Sequence, residues 1–295
     1  MKLVTEVPRP KRHWFRFRLR TLLIVVTLFV LVLAIIREPH LAQHRAAATL
    51  EAKGANVVWE GSGPFQNVVR VTFPSRDAQR RMERGLNAPQ RIKMRLDMTV
   101  TSDDIALIRH FTQLRRLDLA LVPFSDSDMV NLSRLNHLEK LDLSRKSITD
   151  DGLKHLQYLT NLRQIDVSGT EVTCDGLRHL SHLSNLTGLT LGSECRGDIV
   201  LKRVSQFSGL EELKIWTGGI PESEFVHLKK LPILKILWLS PYSITDVGIG
   251  HLGALTMLET LYIDAGDWLN DELLAKFKKA MPDCEIKRWY EPRSK

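Results

Sequence analysis

The chain has 295 residues, 43% of them hydrophobic and 26% charged, which excludes an intrinsically disordered protein and leaves room for one large domain or two ordinary ones. Its formal charge of +8 does not point to a nucleic-acid-binding domain: residues 1–20 carry seven basic side chains against Glu6, which leaves the rest of the chain almost balanced. Cys174, Cys195 and Cys284 form neither a C-x-x-C pair nor an even set, which argues against zinc fingers and disulfide scaffolds and predicts small buried apolar residues at all three.

The first predicted element is a membrane anchor. Thr21 to Ile36 is sixteen residues without a charge. As a helix it rises about 24 Å, close to the roughly 30 Å hydrocarbon core of a bilayer. Arg18 and Arg20 can snorkel, and Trp14, Phe15 and Phe17 stand where an interfacial aromatic belt belongs. The basic residues ahead of the run make residues 1–20 a cytoplasmic tail, 21–36 a transmembrane signal anchor, and everything from residue 37 extracytoplasmic. "REPH" follows the run directly and lacks the small residues of a cleavage site. The segment "WFRFRLRTLLIVVTL" resembles the basic-aromatic opening of many membrane proteins of planctomycete-type bacteria.

Residues 37–90 read as a small juxtamembrane α+β cap and a connection. Leu41 to Lys53 predicts a helix ended by Gly54, Asn56–Glu60 and Asn67–Phe73 predict strands, and Ser75–Gln90 is a polar link.

From residue 91 to 295 the chain is a repeat. Leu114, Leu138, Leu162, Leu186, Leu210, Leu234 and Leu258 recur at one constant interval, without insertion or deletion. Three and five positions after each stands another aliphatic side chain, from Leu117 and Leu119 to Leu261 and Ile263. The L-x-L core has the period of a strand with one buried face, and later residues such as Leu153, Leu156 and Leu159 recur at helical spacing. One such unit cannot bury its own apolar face, so the units must stack. The segments "LEKLDLSRKSITDDGLKHL" and "LRQIDVSGTEVTCDGLRHL" resemble the leucine-rich repeat family in its 24-residue LxxLxLxxTxITDxGLxxL form. The resemblance covers seven full repeats and implies an α/β solenoid, with a curved parallel sheet on the concave face and helices on the convex face. Ile92–Phe111 follows the same plan at shorter spacing, and Met281–Trp289 reads as a terminal strand. The pattern weakens where Arg196 stands at the buried position of the fourth repeat and where "WTGGIPES" occupies the fifth.

No nucleophile elbow, phosphate loop, H-E-x-x-H or dinucleotide fingerprint is present, so the expectation is a non-catalytic protein with no cofactor and no metal. His155, His179, His227 and His251 share one repeat position, a ladder that reads as a partly exposed face rather than a metal site. Asp150 and Asp151, in "SITDDGLKHL", read as a helix start: Thr149 caps free N–H groups, and aspartate favours the positive end of the helix dipole. The search for function therefore moves to the sheet. The residue between the two buried aliphatics of each strand points outward, giving the column Asp118, Asp142, Asp166, Thr190, Lys214, Trp238 and Tyr262, with Lys140 and Trp216 nearby. The candidate ligand-binding residues are Asp118, Asp142, Asp166, Trp216, Trp238 and Tyr262, the aromatics as exposed interface anchors. The expected function is to present this surface to a protein ligand, or a peptide or glycan. Because the repeat form also resembles arrays in ubiquitin-ligase adaptors, a substrate-recognition arm of an enzyme complex is the alternative. A purely structural envelope protein is a third reading.

Overall fold

The structure, a computed structural model, describes residues 38–60, 67–72, 101–119, 122–196, 199–241, 243–263 and 270–288. The anchor at 21–36 and the tail at 1–20 lie outside these. Among the described residues no helix is long and apolar enough to cross a membrane.

The strands form one ten-stranded sheet in chain order. These are β1 (Asn56–Glu60), β2 (Asn67–Thr72), β3 (Arg116–Asp118), β4 (Lys140–Asp142), β5 (Gln164–Asp166), β6 (Gly188–Leu191), β7 (Glu212–Ile215), β8 (Ile236–Leu239), β9 (Thr260–Ile263) and β10 (Glu285–Arg288). From β2 onward neighbours are parallel, and from β3 to β9 the register advances by one repeat length per strand, as in Leu141↔Ile165 and Leu189↔Leu213. All twenty-one aliphatic repeat positions are buried, none more than 5% exposed, and burying each such side chain contributes about 1.5–3 kcal/mol relative to leaving it in water.

The elements on the covered side are shorter than the expected helices. They are single α turns such as Asp150–Leu153 and Val200–Val204, or 3₁₀ segments such as Asp126–Leu132, Gly176–Leu180 and Glu222–Lys230. So short a repeat leaves few residues for the return path, and a 3₁₀ turn rises about 2.0 Å per residue against 1.5 Å for an α-helix. Among the described residues the longest α-helices of the repeats are at the C-terminal end, Asp246–Gly253 and Asp271–Ala280.

The cap is the beginning of the sheet. β2 pairs directly with β3 (Arg70↔Arg116, Val71↔Leu117), and β1 closes the edge antiparallel to β2. The place beside β3 expected for the strand of the 92–111 unit is therefore held by β2; residues 92–100 lie outside the described residues. Helix 38–52 buries Gln43, Ala46, Ala47 and Leu50, at i, i+3, i+4 and i+7, and ends at Gly54 with φ 85°. Lys53 Nζ lies 2.7 Å from Asp104 Oδ2 and ties this cap to the first covered-side helix. Burial pushes the Asp104 carboxyl up, but the bonds from Lys53 and Thr101 outweigh it and hold the group below its usual value. At the other end β10 pairs parallel with β9, as the terminal-strand reading expects.

Successive repeats are clamped through their helix starts. The Thr149 N–H and hydroxyl donate to the two oxygens of Asp126 at 2.9 and 2.6 Å. Thr173 donates in the same way to Asp150 at 2.8 and 2.7 Å, and Thr245 to Glu222 at 2.7 Å twice. Each threonine oxygen also accepts from the N–H two residues on, at 3.2–3.3 Å. The capping role holds, but the aspartate does more than favour its own helix dipole: it holds the next repeat.

One cysteine expectation is corrected. Cys174 and Cys195 form a disulfide, with Cα atoms 4.6 Å apart, and only Cys284 is free among the described residues. Cys174 occupies the repeat position that Asp126 and Asp150 hold in the two preceding units. A covalent bond to the next repeat thus replaces the carboxylate clamp at this station. Cys195 is 1% exposed and fills the core, while Arg196 turns outward and bonds the Ser193 carbonyl at 2.7 Å. Cysteine counting and motif spacing cannot find this pair, because the repeat register brings the two residues together.

Candidate binding groove on the open sheet face

The face of the sheet opposite the covered side carries two parallel rows of side chains. Alternate residues of a strand share a face, and the in-register pairing lines them up. The second row contains the predicted column: Asp118↔Asp142, Asp142↔Asp166, Asp166↔Thr190, Thr190↔Lys214, Lys214↔Trp238 and Trp238↔Tyr262. The first row, two residues earlier on each strand, begins Arg70, Arg116, Lys140, Gln164, Gly188 and Glu212. The rows line a groove of about 390 Å³ that runs from β2 to β7.

The aspartates have a local task. Asp142 Oδ1 accepts from the Ser144 N–H at 2.8 Å; Asp166 Oδ1 accepts from the Ser168 N–H at 2.8 Å and its hydroxyl at 2.6 Å. Each carboxylate thereby closes the turn after its strand. Burial raises the Asp166 carboxyl above its usual value, and the neighbouring Asp142 carboxylate adds to the rise against the Ser168 bonds and the Lys214 charge.

The aromatic residues sit beyond the groove and pack on one another. Trp238 and Tyr262 are stacked with centroids 3.7 Å apart, and Trp216 lies tilted against Trp238 at 5.4 Å. Lys214 and Lys287 stand 5.9 and 5.5 Å from the Trp238 and Tyr262 rings. All three aromatics are half-buried. The expectation of exposed anchors is corrected here, because neighbouring strands bring these rings close enough to cover one another's faces.

Of the first row, the sequence reading named Lys140 beside the column but not Arg70 or Arg116. Arg70, Arg116 and Lys140 place positive charge beside the aspartates; the period-two signal that identifies the column also identifies them. The ladder histidines are half-buried on the covered side, and burial lowers the His179 pKa below its usual value, with Arg178 and Lys154 acting in the same direction. Among the described residues no group of three or more His, Cys, Asp or Glu could hold a metal ion.

No protein-family model matches the chain, and no curated protein matches it. Among solved structures, an internalin from Listeria monocytogenes is similar at 17% identity and TM-score 0.43, over 63% of this chain and 57% of that one. The TLR13–ssRNA13 complex is similar at 17% identity and TM-score 0.39, over 56% of this chain and 23% of that one. This chain thus spans less than two thirds of either protein. At these scores neither likeness bears on what it binds.

Proposed function

We propose that the chain is a membrane-anchored, non-catalytic leucine-rich-repeat scaffold that presents its open sheet face to a protein ligand outside the cytoplasm. The observation that carries the binding reading is the groove, where Arg116 and Lys140 stand beside Asp118 and Asp142 on a sheet fixed by in-register pairing. A pre-ordered surface loses little conformational entropy on contact. The uncharged run at 21–36, its basic flank and its resemblance to planctomycete-type membrane proteins support the anchor. The Cys174–Cys195 disulfide supports an oxidising compartment for the repeats.

The test is chemical crosslinking of the full-length protein in its native membrane. Arg116→Glu with Lys140→Glu reverses the first row, and Lys229→Glu is a control on the covered side. The expected result is crosslinked partners shared by the wild type and the control and missing from the groove variant. An unchanged partner set in a folded groove variant would sink the proposal.

A further inference from the structure

The two rows have opposite charge at each strand where both are charged, and the sign reverses along the array. On β3 and β4 the first row is basic and the second acidic, Arg116 with Asp118 and Lys140 with Asp142. On β7 and β10 the first is acidic and the second basic, Glu212 with Lys214 and Glu285 with Lys287. Between them lies β6, where Gly188 and Thr190 carry no charge.

On β7 and β10 the two charges of the strand meet. Lys214 Nζ lies 2.7 Å from Glu212 Oε1, and Lys287 Nζ 2.8 Å from Glu285 Oε2. Among the described residues no ion pair joins Arg116 or Lys140 to Asp142 or Asp166. Side-chain length accounts for this. Residues two apart on a strand are about 6.6 Å apart, a gap that a glutamate and a lysine close together. Aspartate is one carbon shorter, and Asp142 and Asp166 direct an oxygen toward Ser144 and Ser168, away from the first row.

Granted that the groove is a binding surface, we infer that it receives an extended protein segment of alternating charge, with acidic side chains against Arg116 and Lys140 and basic ones against Asp142 and Asp166. An extended segment laid across the strands sends successive side chains to opposite sides. The complementary pattern is therefore acidic, basic, acidic, basic. Same-side residues of the segment repeat at about 6.6 Å and strands at about 4.8 Å, so β3 to β5 seat two side chains on each side. A polyanion meets the aspartate row as a like charge, and a polycation meets the arginine–lysine row likewise.

The test uses the full-length protein in a neutral detergent and two fluorescent peptides of one composition, Gly-Ser-Glu-Lys-Glu-Lys-Ser-Gly and Gly-Ser-Glu-Glu-Lys-Lys-Ser-Gly. Both are too short to hold a helix in water. Fluorescence anisotropy is expected to show the alternating peptide binding about tenfold more tightly. That binding is expected to be lost in Arg116→Gln with Lys140→Gln and in Asp142→Asn with Asp166→Asn. Asparagine keeps a side-chain oxygen for the serine N–H, and an unchanged melting curve verifies the fold. Equal affinity for the two peptides, lost in both variants, overturns the alternation and leaves the groove. Binding that survives in both variants removes the groove reading as well, and no binding of either peptide overturns the alternation.

Discussion

At the residue scale, the T-D-x-G segment of the repeat is one device for satisfying a helix start, and the structure contains two versions of it. In the first two covered-side helices, Thr101 and Ser125 are capped from within: Asp104 and Asp128, three residues on, accept from the cap N–H at 2.7 and 3.0 Å. At the same position the next two repeats have Gly152 and Gly176, and there the carboxylate comes from the preceding repeat. The glycine makes room for it, since a Cβ on Gly152 would stand 2.2 Å from Asp126 Oδ1 and one on Gly176 would stand 2.1 Å from Asp150 Oδ1. Gly250, in the helix Asp246–Gly253, has nothing within 4 Å of an added Cβ. Gly176→Ala should therefore lower stability by about 1–3 kcal/mol through the lost clamp, while Gly250→Ala should raise it by roughly 0.5–1 kcal/mol through helix propensity. Urea unfolding of the two variants checks this, and equal destabilisation of both would refute the clamp. The threonine cap was legible in the sequence because it is local. The clamp was not, because its partners lie 23 residues apart and only stacking shows that they meet.

At the element scale, strand positions and buried residues were readable because a period of two within each strand and a constant repeat length between strands leave one solution for the register. The covered side was less readable. Helical spacing in the sequence does not separate an α turn from a 3₁₀ turn, and the geometry of the return path chooses between them. The fourth repeat shows the same limit, since Arg196 at a core position suggests only a local loop variation, whereas Cys195 takes its place in the core and bonds to Cys174. Peptide mass spectrometry under non-reducing conditions should find Cys174 joined to Cys195 and Cys284 unlinked. Cys174→Ala with Cys195→Ala should cost about 3 kcal/mol, the value expected from closing a loop of 21 residues. A fully reduced pair in protein taken from its native membrane would contradict the assignment. At the open face, the aromatic column was visible in the sequence, but its self-stacking was not, because ring contacts depend on the spacing between strands.

At the scale of the whole molecule, the hairpin β1–β2 covers the first strand edge of the repeat sheet, and helix 38–52 packs its buried alanines and Leu50 at that same end. Exposed strand edges invite pairing with other chains, so this cap closes one end of the solenoid a short distance after the proposed anchor. The proposed topology has a cytoplasmic tail and a groove that faces away from the cytoplasm. Two independent features support that proposal: the excess of basic residues before residue 21, which orients an anchor, and a buried disulfide, which persists in oxidising compartments. A phosphatase reporter that is active only outside the cytoplasm, fused after Lys295, should be active. A fluorescent protein that matures only in the cytoplasm should be dark at that position and bright when fused before Met1. Reversing the charges of Arg16, Arg18 and Arg20 should reduce the phosphatase signal, because the orienting flank is then lost. A bright C-terminal fluorescent fusion would place the groove in the cytoplasm and favour the adaptor reading, in which the same charged rows would select substrates for an enzyme complex.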